Sequence, residues 1–229
     1  MGNDSTFVRF AAICSCISAI TTFLMWYLSR LTPATPRFED TLLLANNIPY
    51  MSRWWINFAH IFFALAAYGG AAMVLRYRSL GWASWSMLQF GIWGLTELIG
   101  VSVAIWAVNR GWRTQYGAAD PAQRDLLRTL LEGWPQVWNG MFFVLLVAFL
   151  LGSLSLGLLA IKGRVLERIT GALLLLSVPL SVLIILGEYW NVKVASDLEN
   201  VIYPILQPTS RMVMAVWLWN AGKSCKPGS

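Results

Sequence analysis

Charged residues are scarce in this sequence. They make up 12% of the 229 residues, about half of the roughly 25% that a soluble domain carries to keep its surface wetted. Hydrophobic residues make up 57% of the chain, and the mean hydropathy is +0.59. Most of the surface therefore cannot face water, and the composition predicts an integral membrane protein.

Residues that bind metals and motifs that carry out catalysis are also few. The chain has one histidine, His60, and three cysteines, of which Cys14 and Cys16 share one apolar run. This set fits neither a zinc site nor a disulfide framework, and a lone histidine lacks the second axial ligand that b-type haem would need. There is no G-x-S-x-G, H-E-x-x-H, Walker or dinucleotide-binding motif. We therefore expect no metal and no cofactor.

The net charge of +6 arises from 17 Lys and Arg against 11 Asp and Glu. The basic residues lie mostly in short connections between apolar runs, where they anchor spans and set orientation. No Lys/Arg-rich stretch is present, so we exclude nucleic-acid binding. The connections on the two sides carry equal numbers of basic residues, but those of one side are shorter and hold fewer acids. We predict that this side, with both termini, is cytoplasmic in a bacterial inner membrane.

Apolar runs of the ~20 residues that a spanning helix needs occur repeatedly along the chain. Six such runs cover residues 7–30, 54–75, 81–108, 136–161, 168–190 and 201–221. Asp120 with Pro121 forms a helix start, and Gly133 with Pro135 a helix stop. Residues 119–133 therefore predict a short amphipathic loop helix that lies on the membrane or over the bundle. The expected fold is an all-α polytopic membrane protein, with a six-helix transmembrane domain over residues 1–222 and a disordered tail over 223–229.

Several segments resemble a bacterial group of six-span membrane proteins known as domain of unknown function 4386. They are TLLLANNI before the second run, the turn KGRVLERITGALLLLSVP, and the closing run YPILQPTSRMVMAVWLWNAGK. The likeness covers most of the chain and includes a loop helix before the fourth run. It implies the six-span layout and no activity, because that group is defined without one.

Ionisable side chains at membrane depth are costly and are by default candidates for function. At ~1.5 Å of rise per residue, the polar residues of five runs fall in the same half of the bilayer, which predicts a cavity open to the non-cytoplasmic side. Glu97 and Arg211 lie deepest, as the floor of that cavity or as a purely structural ion pair. The candidate catalytic residues are Glu97 and Glu188, and the candidate ligand-binding residues are Arg211, Trp93, His60, Asn57, Asn139 and Gln207.

Two of these candidates depend on helical spacing. His60 shares one face of the second run with Arg53 and Asn57, and we expect that face to point into the bundle, with the histidine either facing a ligand or bonded within the core. Trp93 lies mid-span, one turn from Glu97, and is expected to form a pocket wall. The other tryptophans lie near the ends of the runs, where interfacial belts place them.

Three functions fit these residues. The first is the binding of a membrane lipid or another lipophilic or amphiphilic small molecule around Trp93, Glu97 and Arg211. The second is an intramembrane acid–base enzyme, such as an isomerase or terpene-type cyclase of an isoprenoid-like substrate, with Glu97 or Glu188 as general acid. The third is an accessory subunit whose polar stripes close against a membrane partner or a second copy of the chain.

Overall fold

The computed structural model describes residues 2–224, except for the side chains of residues 2–4, 196 and 224. Within this range the chain is helical and contains no strand, which confirms the all-α prediction. The helices are α1 (Gly2–Arg30), α2 (Phe38–Leu42), α3 (Ile48–Leu75), α4 (Leu80–Val103), α5 (Thr114–Tyr116), α6 (Pro121–Ala160), α7 (Val165–Trp190) and α8 (Lys193–Ser224). Of the tail expected over 223–229, the first two residues belong to α8, and residues 225–229 lie outside the described residues.

Five of the described helical stretches are long and apolar enough to cross a membrane, in agreement with a multi-pass membrane protein. They are Ser5–Arg30, Ile48–Leu75, Leu80–Tyr116, Pro121–Ala160 and Val165–Trp190. The sixth expected span corresponds to α8, which is 32 residues long but is not among the five. Pro204, Gln207, Pro208 and Arg211 interrupt its apolar sequence and lower its hydropathy.

The six long helices form a closed ring in chain order. α1 packs on α3, α3 on α4, α4 on α6, α6 on α7 and α7 on α8, and α8 returns to pack on α1. Short connections favour antiparallel neighbours of this kind. Because α8 closes the ring between two membrane-spanning helices, it is a wall of the bundle.

Local capping explains where several of these helices begin and end. The side chain of Asn47 accepts a hydrogen bond from the backbone N–H of Tyr50 at 2.9 Å, at the start of α3. Asp120 does the same for Gln123 at 2.9 Å before α6. Such side chains satisfy backbone N–H groups that have no partner in the first turn. At the end of α7, Asn191 adopts a left-handed conformation with φ of 54°, which stops the helix.

One half of the ring is filled by aromatic side chains. The rings of Tyr68 and Phe90 stack with their centroids 3.8 Å apart and their planes 2° from parallel, and Phe149 packs edge-on against both. Small residues bring helices close beside them, since a Cβ added to Gly70 would lie 2.3 Å from the Cβ of Ala11. This half of the bundle is therefore solid, and the space inside the ring lies in the other half.

The amphipathic helix predicted over residues 119–133 is not a separate element. Its start at Asp120 and Pro121 is confirmed, but α6 continues through Gly133 and Pro135 as one helix of 40 residues. A proline inside a helix removes one backbone hydrogen bond and crowds the preceding turn. Trp134 and Trp138 flank the proline and pack against each other with centroids 6.2 Å apart, and this packing supports the helix across that point.

Candidate functional site

A cavity of about 580 Å³ occupies the half of the ring that the aromatic core leaves unfilled. It extends from the middle of the bundle toward the end that carries the connections 31–47, 117–120 and 191–192. Its size falls within the roughly 300–1,000 Å³ that is typical of small-molecule sites. Side chains from α1, α3, α4, the π-helical segment Ala104–Arg113, α6, α7 and α8 line it.

The floor of the cavity is held by a chain of hydrogen bonds that begins at Arg211. This side chain is 5% exposed, and its Nη1 donates to Oε1 of Gln207 at 2.9 Å and to the backbone oxygen of the same residue at 3.3 Å. Gln207 Nε2 donates in turn to Ser177 Oγ at 3.2 Å. On the other side, Ser15 Oγ donates to the backbone oxygen of Arg211 at 2.6 Å. The floor is therefore tied to α7 and to α1.

Glu97 and Arg211 line the same cavity but form no ion pair. Both side chains are described, and no distance within 4.0 Å joins their charged groups. Glu97 Oε2 and Arg211 Nε are instead both buried without a hydrogen-bond partner. The carboxyl interacts with the Asn57 side chain, and with Arg211 only through longer-range attraction. Of the two alternatives left open by the sequence, the direct ion pair is not formed, because the guanidinium turns back along α8 to Gln207, and a role in the floor of the cavity stays a prediction.

His60 faces the interior, as its helical spacing predicts, and is 2% exposed. Its Nδ1 lies 2.7 Å from Thr21 Oγ1, and that hydroxyl also lies 2.9 Å from the backbone oxygen of Ile17. The hydroxyl has one proton, so when it donates to the carbonyl, Nδ1 carries the imidazole proton and Nε2 is left as an acceptor. The imidazole stands edge-on to Trp93, with centroids 6.5 Å apart and planes at 85°.

The mouth of the cavity depends on the π-helical segment between α4 and α5. Asn109 is 1% exposed, and its Nδ2 donates to the backbone oxygen of Ala104 at 2.6 Å, five residues back. This side-chain bond joins residues five apart, the same separation as the backbone hydrogen bonds that define a π-helix. Such segments are often found at functional sites. Its Oδ1 accepts a bond from Arg113, whose Nη1 also donates to the hydroxyl of Tyr50 at 3.1 Å. The segment thereby holds the Arg113 guanidinium at the mouth.

Buried polar atoms without a partner are concentrated at this cavity. Among the described residues, ten buried side-chain nitrogen or oxygen atoms have no hydrogen-bond partner, and six of them belong to residues that line it. The six atoms are Trp26 Nε1, Trp54 Nε1, Asn57 Oδ1, Glu97 Oε2, Arg113 Nε and Arg211 Nε. Buried polar groups in folded proteins nearly always have partners, so the polar side chains around this cavity are incompletely satisfied by the chain itself.

Six of the eight candidate residues lie in the cavity lining: Glu97, Arg211, Trp93, His60, Asn57 and Gln207. Glu188 and Asn139 do not, and both are exposed. On α7 the buried stripe runs through Ile184 and Gly187, so Glu188, one position later, falls on its exposed edge. Asn139 directly follows Trp138 on α6. Trp138 lines the cavity, but Asn139, one position further along the helix, points away from it. Neither residue lines this cavity, and their roles stay predictions.

Several residues of the lining were not among the candidates. Arg113 and Tyr50 lie outside the predicted apolar runs. The helices extend further than those runs, because α3 already begins at Ile48 and the third long helix continues to Tyr116. Glu199 contributes the second carboxylate of the lining. Four tryptophans expected in the interfacial belts also line the cavity, namely Trp26, Trp54, Trp134 and Trp138. The helical spacing of these tryptophans, rather than their closeness to the helix ends, could have predicted that they face the cavity.

Comparisons with known proteins give no information about function, so the cavity is the basis on which a function can be proposed. No family model, curated protein or solved structure matches the chain. The resemblance to the domain of unknown function 4386 group therefore stays a prediction. In the described part of the chain, no group of three or more His, Cys, Asp and Glu side chains is placed to hold a metal ion.

Proposed function

We propose that this chain crosses the membrane six times and binds a lipophilic or amphiphilic small molecule in its intramembrane cavity. The sixth span is α8, which packs between α1 and α7. The hydrogen bond from Ser15 Oγ to the backbone oxygen of Arg211 links the middle of α8 to the middle of α1. In the orientation predicted from the connections, both termini are cytoplasmic and the cavity opens to the opposite side.

The observation that carries the proposal is the pairing of unsatisfied polar atoms with aromatic walls in one cavity. The lining includes a guanidinium donor, Arg211, and a carboxyl group, Glu97, so a bound molecule can both accept from Arg211 and donate to Glu97. Between them Trp93, Phe142 and Phe149 present apolar surface. Small-molecule sites typically combine such apolar walls with a few convergent polar groups that fix orientation.

Native mass spectrometry of the full chain, released from a neutral detergent, tests this function. We expect a co-purifying lipid or other amphiphile on the unmodified protein, and a large loss of it in Trp93→Leu and in Arg211→Met. Trp219→Leu is the matched control, because that tryptophan is 41% exposed and lies outside the cavity lining. Equal occupancy in the cavity variants and in the control would contradict the proposal.

A second candidate function is acid–base catalysis on the bound molecule. It is favoured by one observation: Oε2 of Glu97 is buried, lies in the cavity wall and has no partner. A carboxyl that makes no hydrogen bond at one oxygen is free to give a proton to a substrate. Glu188 has no place in this version, because it lies outside the cavity. Conversion of the co-purifying molecule by the unmodified protein but not by Glu97→Gln would favour an enzyme, whereas binding without conversion in both would favour a binding protein.

A further inference from the structure

We infer that the mouth of the cavity is a binding site for an anionic head group, a phosphate or a carboxylate, formed by Arg53 and Arg113, which both contact Tyr50. The inference rests on the proposed function and adds the chemical class and the direction of the ligand. The head group would lie at the mouth, and the apolar chain would extend past Trp93 toward the floor.

Arg53 and Arg113 are two cations that meet at one tyrosine. Their Cζ atoms lie 5.8 Å and 5.4 Å from the centroid of the Tyr50 ring, and both side chains line the cavity. Like charges repel, so an anion bound near both guanidinium groups would lower the cost of placing them around one ring. Arg also presents a planar fork of donors that matches carboxylate and phosphate oxygens.

Neither arginine forms a salt bridge with a carboxylate of the described residues, and this includes Glu199, which lines the same cavity. Arg113 donates to the Tyr50 hydroxyl and to the Asn109 amide oxygen, which are both uncharged acceptors, and its Nε is buried without a partner. Arg53 contacts the rings of Tyr50 and Trp54 and makes no hydrogen bond to a described residue. Both arginines line the cavity, so the mouth presents two positive charges to a ligand.

The dimensions of the cavity allow a molecule with a head at the mouth and a tail toward the floor. Glu199 and Arg211 line opposite ends of it on the same helix, and twelve residues of helix correspond to roughly 18 Å. Apolar side chains cover the length between them, among them Phe142, Leu145 and Ile184. A single-chain anionic amphiphile fits this arrangement of charge and apolar wall.

Arginines at a membrane surface also attract lipid phosphates without any site, and Arg110 provides the matched control for that effect. It belongs to the same π-helical segment but is exposed and lies outside the cavity lining. Its Cζ stacks on Trp106 at 4.8 Å and on Trp55 at 5.6 Å, and these rings are 55% and 38% exposed. A surface effect would act through Arg110 as strongly as through the two arginines of the cavity.

The test measures binding of dodecyl phosphate and of dodecyltrimethylammonium to the full chain in a neutral maltoside detergent. We expect the phosphate to bind, and Arg53→Gln and Arg113→Gln each to weaken it about tenfold to a hundredfold, as for a lost hydrogen bond to a charged group. Arg110→Gln should leave its affinity unchanged. The cationic amphiphile should bind more weakly than the phosphate. Competition by inorganic phosphate, or by phosphatidylglycerol in mixed micelles, then tells whether the natural anion is free or belongs to a lipid.

Three results would overturn the inference. One is an equal loss of binding in Arg110→Gln, and another is equal affinity for the two amphiphiles. The third is full binding of dodecyl phosphate by Arg53→Gln and Arg113→Gln with loss in Trp93→Leu, which would leave the proposed function standing. Failure of every amphiphile to bind would reject both. Arg53 makes no hydrogen bond in the described structure, so Arg53→Gln should fold and decides the matter if Arg113→Gln does not.

Discussion

We expect the stability of the fold to depend on the hydrogen bond between Arg211 and Gln207 more than on Glu97. The amide oxygen of Gln207 lies 2.9 Å from Nη1 of a guanidinium that is 5% exposed. A hydrogen bond to a charged group contributes about 1.5–3 kcal/mol, and an average hydrogen bond between membrane helices, such as that from Gln207 to Ser177, about 0.6 kcal/mol. We therefore expect Gln207→Leu to lower the free energy of unfolding by about 2–3 kcal/mol.

Glu97→Gln is the comparison that separates this reasoning from a buried ion pair. Breaking a buried pair by removing one partner costs about 3–5 kcal/mol. Glu97 makes no such pair with Arg211, and glutamine keeps the shape of the side chain and can still bond to Asn57, so we expect the change to cost about 1 kcal/mol. Gln207→Leu should therefore be the more damaging of the two substitutions.

The assay is unfolding of the full chain by sodium dodecyl sulfate in mixed micelles, analysed as double-mutant cycles of Arg211→Gln with each partner. Residues in contact show interaction energies of about 0.5–3 kcal/mol, whereas separated residues add almost independently. We expect measurable coupling between positions 207 and 211 and coupling below about 1 kcal/mol between positions 97 and 211. Coupling of 3 kcal/mol or more between Glu97 and Arg211 would refute the geometry described for the floor.

Three further predictions concern packing, the π-helical segment and the limits of the site. Gly171→Ala should destabilise the fold by more than about 2 kcal/mol, because the added Cβ would lie 2.5 Å from the backbone nitrogen of Ile161. Gly140→Ala is the control in the same unfolding assay and should be neutral or slightly stabilising, because its Cβ would meet nothing within 4 Å. Asn109→Leu should cost about 1–3 kcal/mol, since it removes the bond to the Ala104 oxygen and one partner of Arg113; an unchanged unfolding midpoint would contradict this. Glu188→Gln and Asn139→Ala should leave amphiphile binding unchanged, while Glu97→Gln alters it, and a loss of affinity in the first two would place the site elsewhere.

Much of the helical layout could be predicted from hydropathy, because each apolar run had to become a helix once it was buried in lipid. The ends of the helices could not, since capping residues such as Asn47 and Asp120 lie in polar sequence outside the runs. The same limit hid Arg113, which stands beyond the third run in sequence but is returned to the cavity by the π-helical segment. Hydropathy also underrates α8, whose polar residues face the cavity rather than lipid.

The sequence could predict which residues line the cavity where they share one helix face. It could not do so for a residue at the edge of such a face. Arg53, Asn57 and His60 share a face at i, i+4 and i+7, and all three line the cavity. Glu188 lies near the end of α7, where one step along the buried stripe changes a residue from interior to exposed. The partner of Arg211 could not be predicted from charge alone, because an uncharged glutamine one turn away satisfies it at shorter range.

The polar cavity is costly for the fold, and that cost is an argument for its use. A buried polar atom left without a partner costs about 1–3 kcal/mol, and six atoms without a partner in the protein belong to residues that line this cavity. Apolar side chains of similar volume would remove this cost, as they do when they replace buried ion pairs, and the other half of the ring shows that the bundle can be packed in that way around Tyr68 and Phe90. A bundle that only had to hold its helices together could have been filled in both halves, so the unfilled, polar half supports the proposal that a small molecule binds there.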